Sequence, residues 1–283
     1  MVAVNLQVRR AVPADRQQIA NLMYFETRVH RHLDWRAPLE WLGSPHYWIL
    51  EDSGDVMAAL ACPQDPPGIA WIRLFVCASP VDANQAWSVL WDTARTEISM
   101  QGDALAAAIA LQPCFDDLLA GSGFVFNQNI IMLVWDDAPI LERPLPDGVK
   151  LRPMQARDLP AVVDVDASAF EPLWRNSLDA LHKAFGQAFH ATVAETSSGL
   201  IGYQLSTGSP LGAHLARLAV RPEAQGAGIG SVLVNDLLHT VKKRTRAHVT
   251  VNTQSDNLAS QALYQRLGFL LTGEQYPVFI HPL

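Results

Sequence analysis

The chain has 283 residues, 49% hydrophobic and 17% charged, which suits two domains of roughly 140 residues and excludes a disordered chain. A formal charge of −7 argues against a nucleic-acid partner, and no apolar run reaches the roughly 20 residues of a membrane-spanning helix. Cys62, Cys77 and Cys114 form no CxxC pair, so neither a disulfide framework nor a metal site is expected; without a secretory pattern in MVAVNLQVRR, the cytoplasm is the expected compartment.

In chain order, VRRAVPADRQQIANL (8–22) reads as a short strand entering a helix, with Asp15 placed as the helix N-cap. WILEDSGDVMAAL (48–60) reads as a hairpin with its glycine in the turn, and RLFVCASP (73–80) as a strand running into a loop. AIALQPCFDDLLAGSGF (108–124) is a strand, a loop and a helix that ends at Gly-Phe. The proline-bearing stretch APILERPLPDG, residues 138–148, then predicts a boundary between domains 1–143 and 144–283. Composition changes across it: net charge is −8 before and +1 after, and seven of eight tryptophans precede it.

The same order then returns. LRPMQARDLPAVVDV (151–165) lies over the first strand and helix, with Asp158 as the cap; TVAETSSGLIGYQL (192–205) lies over the hairpin; RLAVRPEA (217–224) and VTVNTQSDNLASQALYQRLGF (249–269) lie over the rest. The offset drifts only from 143 to 145. Identity between the halves is low, so the order of elements carries the repeat: two mixed α/β units of β-α-β-β-β-α-β-α-β order in tandem.

The second half adds HLARLAVRPEAQGAGIGSVLVNDLLHTV, residues 214–241. A strand ends at Val220, Pro222 breaks it, and Gln225-Gly226-Ala227-Gly228-Ile229-Gly230 leads into a helix with Leu233, Leu237 and Val241 at four-residue spacing. Small residues and a helix N-terminus make a phosphate cradle without a basic side chain. A P-loop reading fails for want of Gly-Lys-Ser/Thr, and a dinucleotide fingerprint fails at Ser231 and at RAHVT, where an acid is needed.

The order strand, Q-x-x-G-x-G, helix, strand, loop with Asn257, helix with Tyr264, and Leu-Gly-Phe instead resembles the GNAT superfamily of acyl-CoA N-acyltransferases. The resemblance is specific over residues 149–283 and reaches 1–143 through the repeat alone, which makes the chain similar to tandem GNAT proteins. It implies a central mixed sheet flanked by helices in each unit, acetyl-CoA as cosubstrate, no metal, and acetyl transfer to an amine by direct attack. It implies that strands 214–220 and 247–253 splay, that Leu218, Ala219 and Val220 hold the pantetheine arm, and that the amides of residues 226–231 (Gly226, Ala227, Gly228, Ile229, Gly230 and Ser231) hold the pyrophosphate beside Gln225.

The resemblance also places Asn257 as a CoA contact or as an N-cap, and Tyr264 as the acid that protonates the thiolate or as a core aromatic. At the positions where relatives carry a basic Glu, this chain has His214 and Asn252; His214 is the candidate base against a water chain, and Asn252 takes no proton. Phe170, Glu171 and Trp174 lie in the segment 168–185 that such folds use for the acceptor, with Phe170 and Trp174 spaced i, i+4. The basic run 242–246 suits a helix C-terminus, or a contact to the CoA 3′-phosphate.

In the first half Val81-Asp82-Ala83-Asn84 stands opposite the glycine loop and Leu119 opposite Tyr264, so that half is expected to be structural or acceptor-shaping. The acceptor is expected to be a small-molecule or peptide amine, and the protein a monomer or homodimer. A non-catalytic acyl-CoA sensor and a protein N-acetyltransferase are the competing readings.

Overall fold

The computed structural model describes residues 6–209, 212–243 and 247–283, and the chain divides into two compact units, 1–127 with 276–283, and 128–275. The first unit runs through β1 (Gln7–Arg10), α1 (Arg16–Phe25), β2 (Val29–Arg31), the hairpin β3 (Tyr47–Asp52) and β4 (Asp55–Ala61), β5 (Ile69–Trp71), β6 (Leu74–Cys77), α2 (Ala83–Ser99), β7 (Leu105–Ile109) and α3 (Pro113–Gly121). Strand β8 (Val125–Asp136) carries the chain into the second unit. There follow β9 (Lys150–Pro153), α4 (Leu159–Ala169), α5 (Leu178–Gly186), the hairpin β10 (His190–Thr196) and β11 (Gly199–Ser209), β12 (Gly212–Val220), α6 (Ile229–Lys242), β13 (His248–Gln254), α7 (Leu258–Arg266) and β14 (Leu270–Pro282).

The predicted repeat is present down to single atoms. In the first unit Arg9 donates from Nε to Glu51 and from both terminal nitrogens to Asp15; in the second, Arg152 does the same to Glu195 and Asp158. Such bidentate, charge-assisted pairs fix geometry as well as energy. They also correct the capping expectation. Neither aspartate caps its helix; each closes the short 3-10 turn before it, accepting from Val12 N or Gln155 N at 2.8 Å, and spends its remaining lone pairs on the arginine. The same two guanidiniums hold the Asp15 and Asp158 carboxyls below their usual range.

Within the first unit an antiparallel sheet runs β1-β3-β4-β6-β2, while β5 pairs in parallel with β7. Residues 278–282 of β14 complete β7 on its other edge. Within the second unit β9-β10-β11-β12 are antiparallel, β12 and β13 are parallel, and residues 130–136 of β8 lie antiparallel along β13. Each unit therefore takes a strand from the far side of the proline-bearing stretch 138–148, and that stretch lies inside the second unit. Helix α6 buries the predicted stripe, Leu237 and Val241 against Val249, Val251 and Phe269, and Leu233 with Ala194 and Ile229. No helix among the described residues is long and apolar enough to cross a membrane.

Candidate active site

The site begins where two parallel strands part. Strands β12 and β13 pair only over Ala213–Leu215 with Val249–Val251. Opposite β11, Arg217 faces Leu205 and Leu215 faces Ser206, so Ala216 is an extra residue, a bulge that bends β12 away. Among the described residues no strand pairs with 216–220 on the side away from β11, which leaves a row of backbone N–H and C=O groups free for a ligand.

The glycine loop closes the wide end of this fork. Gly226 and Gly228 hold φ of 78° and 90°, a left-handed backbone that L side chains rarely adopt, and a Cβ on either would meet open space. Gly228 is the N-cap of α6, so the first amides of a 14-residue helix point out of the loop. Gln225 ties the loop back by donating to Val220 O at 3.0 Å.

These elements enclose a cleft of about 690 Å³. Leu218, Ala219, Val220, Gln225, Gly226, Gly228, Ile229, Gly230, Ser231 and Asn257 all line it; Ala227 does not. Its other wall is α7, through Ala259, Ala262, Leu263 and Arg266. Asn257 caps α7 by accepting from Ser260 N at 3.0 Å and still borders the cleft, so its two expected roles are compatible. Two cationic side chains at the rim, Arg143 and Arg266, are lining residues that sequence reasoning missed.

Tyr264 lies nearly two turns along α7 but among the core residues, its ring 5.5 Å from that of Phe269. It is 4% exposed, and burial raises its phenol well above the ordinary value of 10, so it keeps its proton at neutral pH. It is not among the lining residues.

His214 stands on β12 four residues, roughly 13 Å of extended strand, before Leu218. It too is outside the lining, with Nδ1 2.8 Å from Thr250 Oγ1, and burial lowers its pKa. The bulge turns it to the same face of β12 as Arg217. Asn252, the first residue of β13 beyond the last parallel pair, has its Oδ1 buried without a hydrogen-bond partner.

On that face the acceptor segment differs from expectation. Pro172 ends regular helix, so residues 170–177 form an extended stretch around a 3-10 turn, Pro172–Trp174, and Phe170 and Trp174 do not share a helical stripe. Phe170 lines the cleft, while Glu171 and Trp174 do not. Beneath lies a buried cluster that sequence reasoning also missed. Arg217 donates to Asp166 at 2.7 and 2.9 Å and to Trp174 O at 2.6 Å, its guanidinium 3.5 Å from the Phe170 ring centre. Asp166 also accepts from Tyr203 and from Asn176 N. The second aspartate of the largely apolar LPAVVDVDASA, Asp166, was the available signal. Of the basic run 242–246, residues 244–246 lie outside the described residues, as do residues 210–211 of the hairpin before His214; Lys242 pairs with Asp137.

The first unit contains the same fork, closed. Strands β5 and β7 pair over three residues at the positions of β12 and β13, and β6 then diverges. Its free edge is taken by β2, through Val29↔Val76, His30↔Phe75 and Arg31↔Leu74. Asp82 caps α2, accepting from Gln85 N at 2.9 Å where the second unit leaves its amides open. What remains is a recess of about 230 Å³, in which His30 stacks on Phe115 at 4.0 Å.

Residues 158–269 match the sequence profile described as Acetyltransferase (GNAT) family. A peptidyl-lysine N-acetyltransferase of Salmonella typhimurium is 27% identical over 117 residues, 36% of this chain and 74% of that protein. A mycothiol acetyltransferase of Pseudarthrobacter chlorophenolicus is 30% identical over 170 residues, 54% of this chain and 53% of its own. The chain thus spans about half the length of the mycothiol acetyltransferases it matches. Across both units, the fold is that of a solved tandem GNAT protein from the clavulanic acid biosynthesis pathway, at 16% identity, a TM-score of 0.64 and 98% coverage of each chain.

Proposed function

We propose, from the match of residues 158–269 to the GNAT acetyltransferase profile, that the second unit transfers an acetyl group from acetyl-CoA to an amine. The observation that carries this reading is the open fork of β12 and β13 ending at a left-handed glycine loop. It offers amides to a diphosphate and strand edge to an amide-bearing chain. The residues fit the cosubstrate: the loop leaves open space where phosphates would approach, and every charged side chain lining the cleft is cationic.

When bound, acetyl-CoA supplies an acyl group activated as a thioester. Leu218 to Val220 hold the arm by their backbone, and an N–H of that stretch polarises the carbonyl. Amides of residues 226–231 hold the pyrophosphate. Tyr264, kept neutral by burial, delivers a proton to the leaving thiolate. The amine enters past Phe170, Glu171 and Trp174. Relatives named for peptidyl lysine and for ribosomal-protein alanine favour a primary amine as the acceptor class. Free thiol released from acetyl-CoA against an amine library tests the reading; thiol release independent of any amine would make the unit a hydrolase, and binding with no thiol release would leave a binding module.

His214 is the proposed base. Because burial lowers its pKa, the acidic limb of the kcat/KM profile is expected below pH 6.5, the ordinary imidazole value. In His214→Ala that limb should disappear. A limb retained at the same pH would pass the role to a water chain.

The first unit is proposed to shape and support the enzyme without binding CoA, because its fork is filled by its own chain. Restoring the loop with Val81→Gln, Asp82→Gly and Asn84→Gly, in a chain whose second site is disabled, should therefore restore no binding to acetyl-CoA in calorimetry. A regained stoichiometry of one would show that β2 is no barrier.

A further inference from the structure

The cleft of the second unit has an uneven charge that the glycine loop does not explain. Among its described lining residues there is no carboxylate, although the whole chain carries −7. Its cations are Arg143, from the irregular stretch before β9, and Arg266, at the end of α7. Both are exposed, and neither has a carboxylate partner among the described residues, whereas the neighbouring Glu142 is paired with His239 at 2.8 Å. The same two arginines also border an adjoining recess with Leu141, Pro144, Leu267 and Glu142, the carboxylate already paired with His239. Residues 123 positions apart in sequence are thus brought to one rim.

Their place on the cleft is set by α7. Ala259, Ala262, Leu263 and Arg266 follow one another at helical spacing along a single face, small at the start and cationic at the end. Asn257 stands at the start of this stripe and Arg266 about 13.5 Å further on, at 1.5 Å per residue. The opposite wall is the glycine loop, whose amides satisfy a diphosphate without any cation. Two unpaired guanidiniums beyond it are surplus to that task. CoA carries one further phosphate, on the 3′-oxygen of its ribose, and the arginine fork matches phosphate geometry bidentately.

Resting on the acetyl-CoA reading above, we propose that Arg143 and Arg266 form a 3′-phosphate subsite that selects CoA over its 3′-dephospho form. Lys242, the described basic residue nearest in role, is already engaged: it pairs with Asp137 at 3.5 Å and does not line the cleft.

The test is calorimetric titration of the full chain with CoA and with 3′-dephospho-CoA. Wild type should bind CoA tighter by about tenfold or more, the effect of one or two charge-assisted hydrogen bonds. Arg143→Gln/Arg266→Gln should bind both ligands alike, at the affinity wild type has for 3′-dephospho-CoA, and each single variant should lie between. Raised salt should narrow the wild-type gap and leave the double variant unchanged. Equal loss of affinity for both ligands, or a wild-type ratio in the double variant, would overturn the subsite while leaving the acetyl-CoA reading intact. Binding of neither ligand by wild type would overturn both.

Discussion

Gly228→Asp should reduce acetyl-CoA binding to below detection in calorimetry, while wild type gives one site per chain. Three costs add. An aspartate at φ 90° sits in the left-handed region, a strain of about 1–3 kcal/mol. Its carboxylate a few ångström from a phosphate costs about 1–4 kcal/mol at effective dielectrics between 80 and 20. It also takes for itself an amide the phosphate needs, and a hydrogen bond to a charged group contributes roughly 1.5–3 kcal/mol. The low end of that total, about 3.5 kcal/mol, weakens a micromolar site several-hundredfold, and the middle of the range carries it past millimolar. The molecule already contains the experiment in miniature: Asp82 in the first unit caps its helix through Gln85 N and leaves no open cradle. Asp82→Ala should accordingly leave binding unchanged. A stoichiometry near two in wild type, or tight binding by Gly228→Asp, would contradict this account.

Tyr264→Phe should lower kcat about 100- to 10,000-fold, the usual contribution of a positioned acid, with acetyl-CoA affinity nearly unchanged. The ring packs beside Phe269 in the core, so phenylalanine fills the same volume and the fold survives. Only the hydroxyl proton is removed, and it matters as the thiolate departs. Since burial raises this phenol, the basic limb of the wild-type profile should not come from Tyr264 below pH 10. An unchanged kcat with the best acceptor would take Tyr264 out of the mechanism and leave it as a core aromatic.

What was legible in the sequence was whatever short-range pattern encodes. Pro222, the small loop residues and the stripe from Leu233 to Val241 specify strand, cradle and helix within 30 residues, and all three are found. The repeat was legible because order survives when identity does not. Four things were hidden. Arg143 and Arg266 carry no local signal, since an exposed arginine in an irregular stretch and another at a helix end are ordinary on their own. Strand β2 is three residues, VHR, too short for any alternation to register. The capping expectation for Asp15 and Asp158 failed because a 3-10 turn intervenes and an arginine on the preceding strand competes for the carboxylate. Phe170 and Trp174 have the spacing of a helical pair, but regular helix stops at Ala169 and Pro172 opens a 3-10 turn between them.

The pairing of β7 with residues 278–282 has a consequence for how the chain is made. Strand β7 is synthesised about 170 residues before its partner. At ribosomal speeds of about 5–20 residues per second, the interval is on the order of ten seconds or more, long compared with hairpin or helix formation. Through that interval the first unit has an unclosed edge, Leu105–Ile109, with an alanine-rich LAAAI sequence whose low β-propensity makes it a poor template for a stray strand. The same arithmetic sets the order of completion. The unit that begins first finishes last, and a ribosome stalled before residue 276 would hold a second unit fully translated beside a first unit still waiting for its final strand.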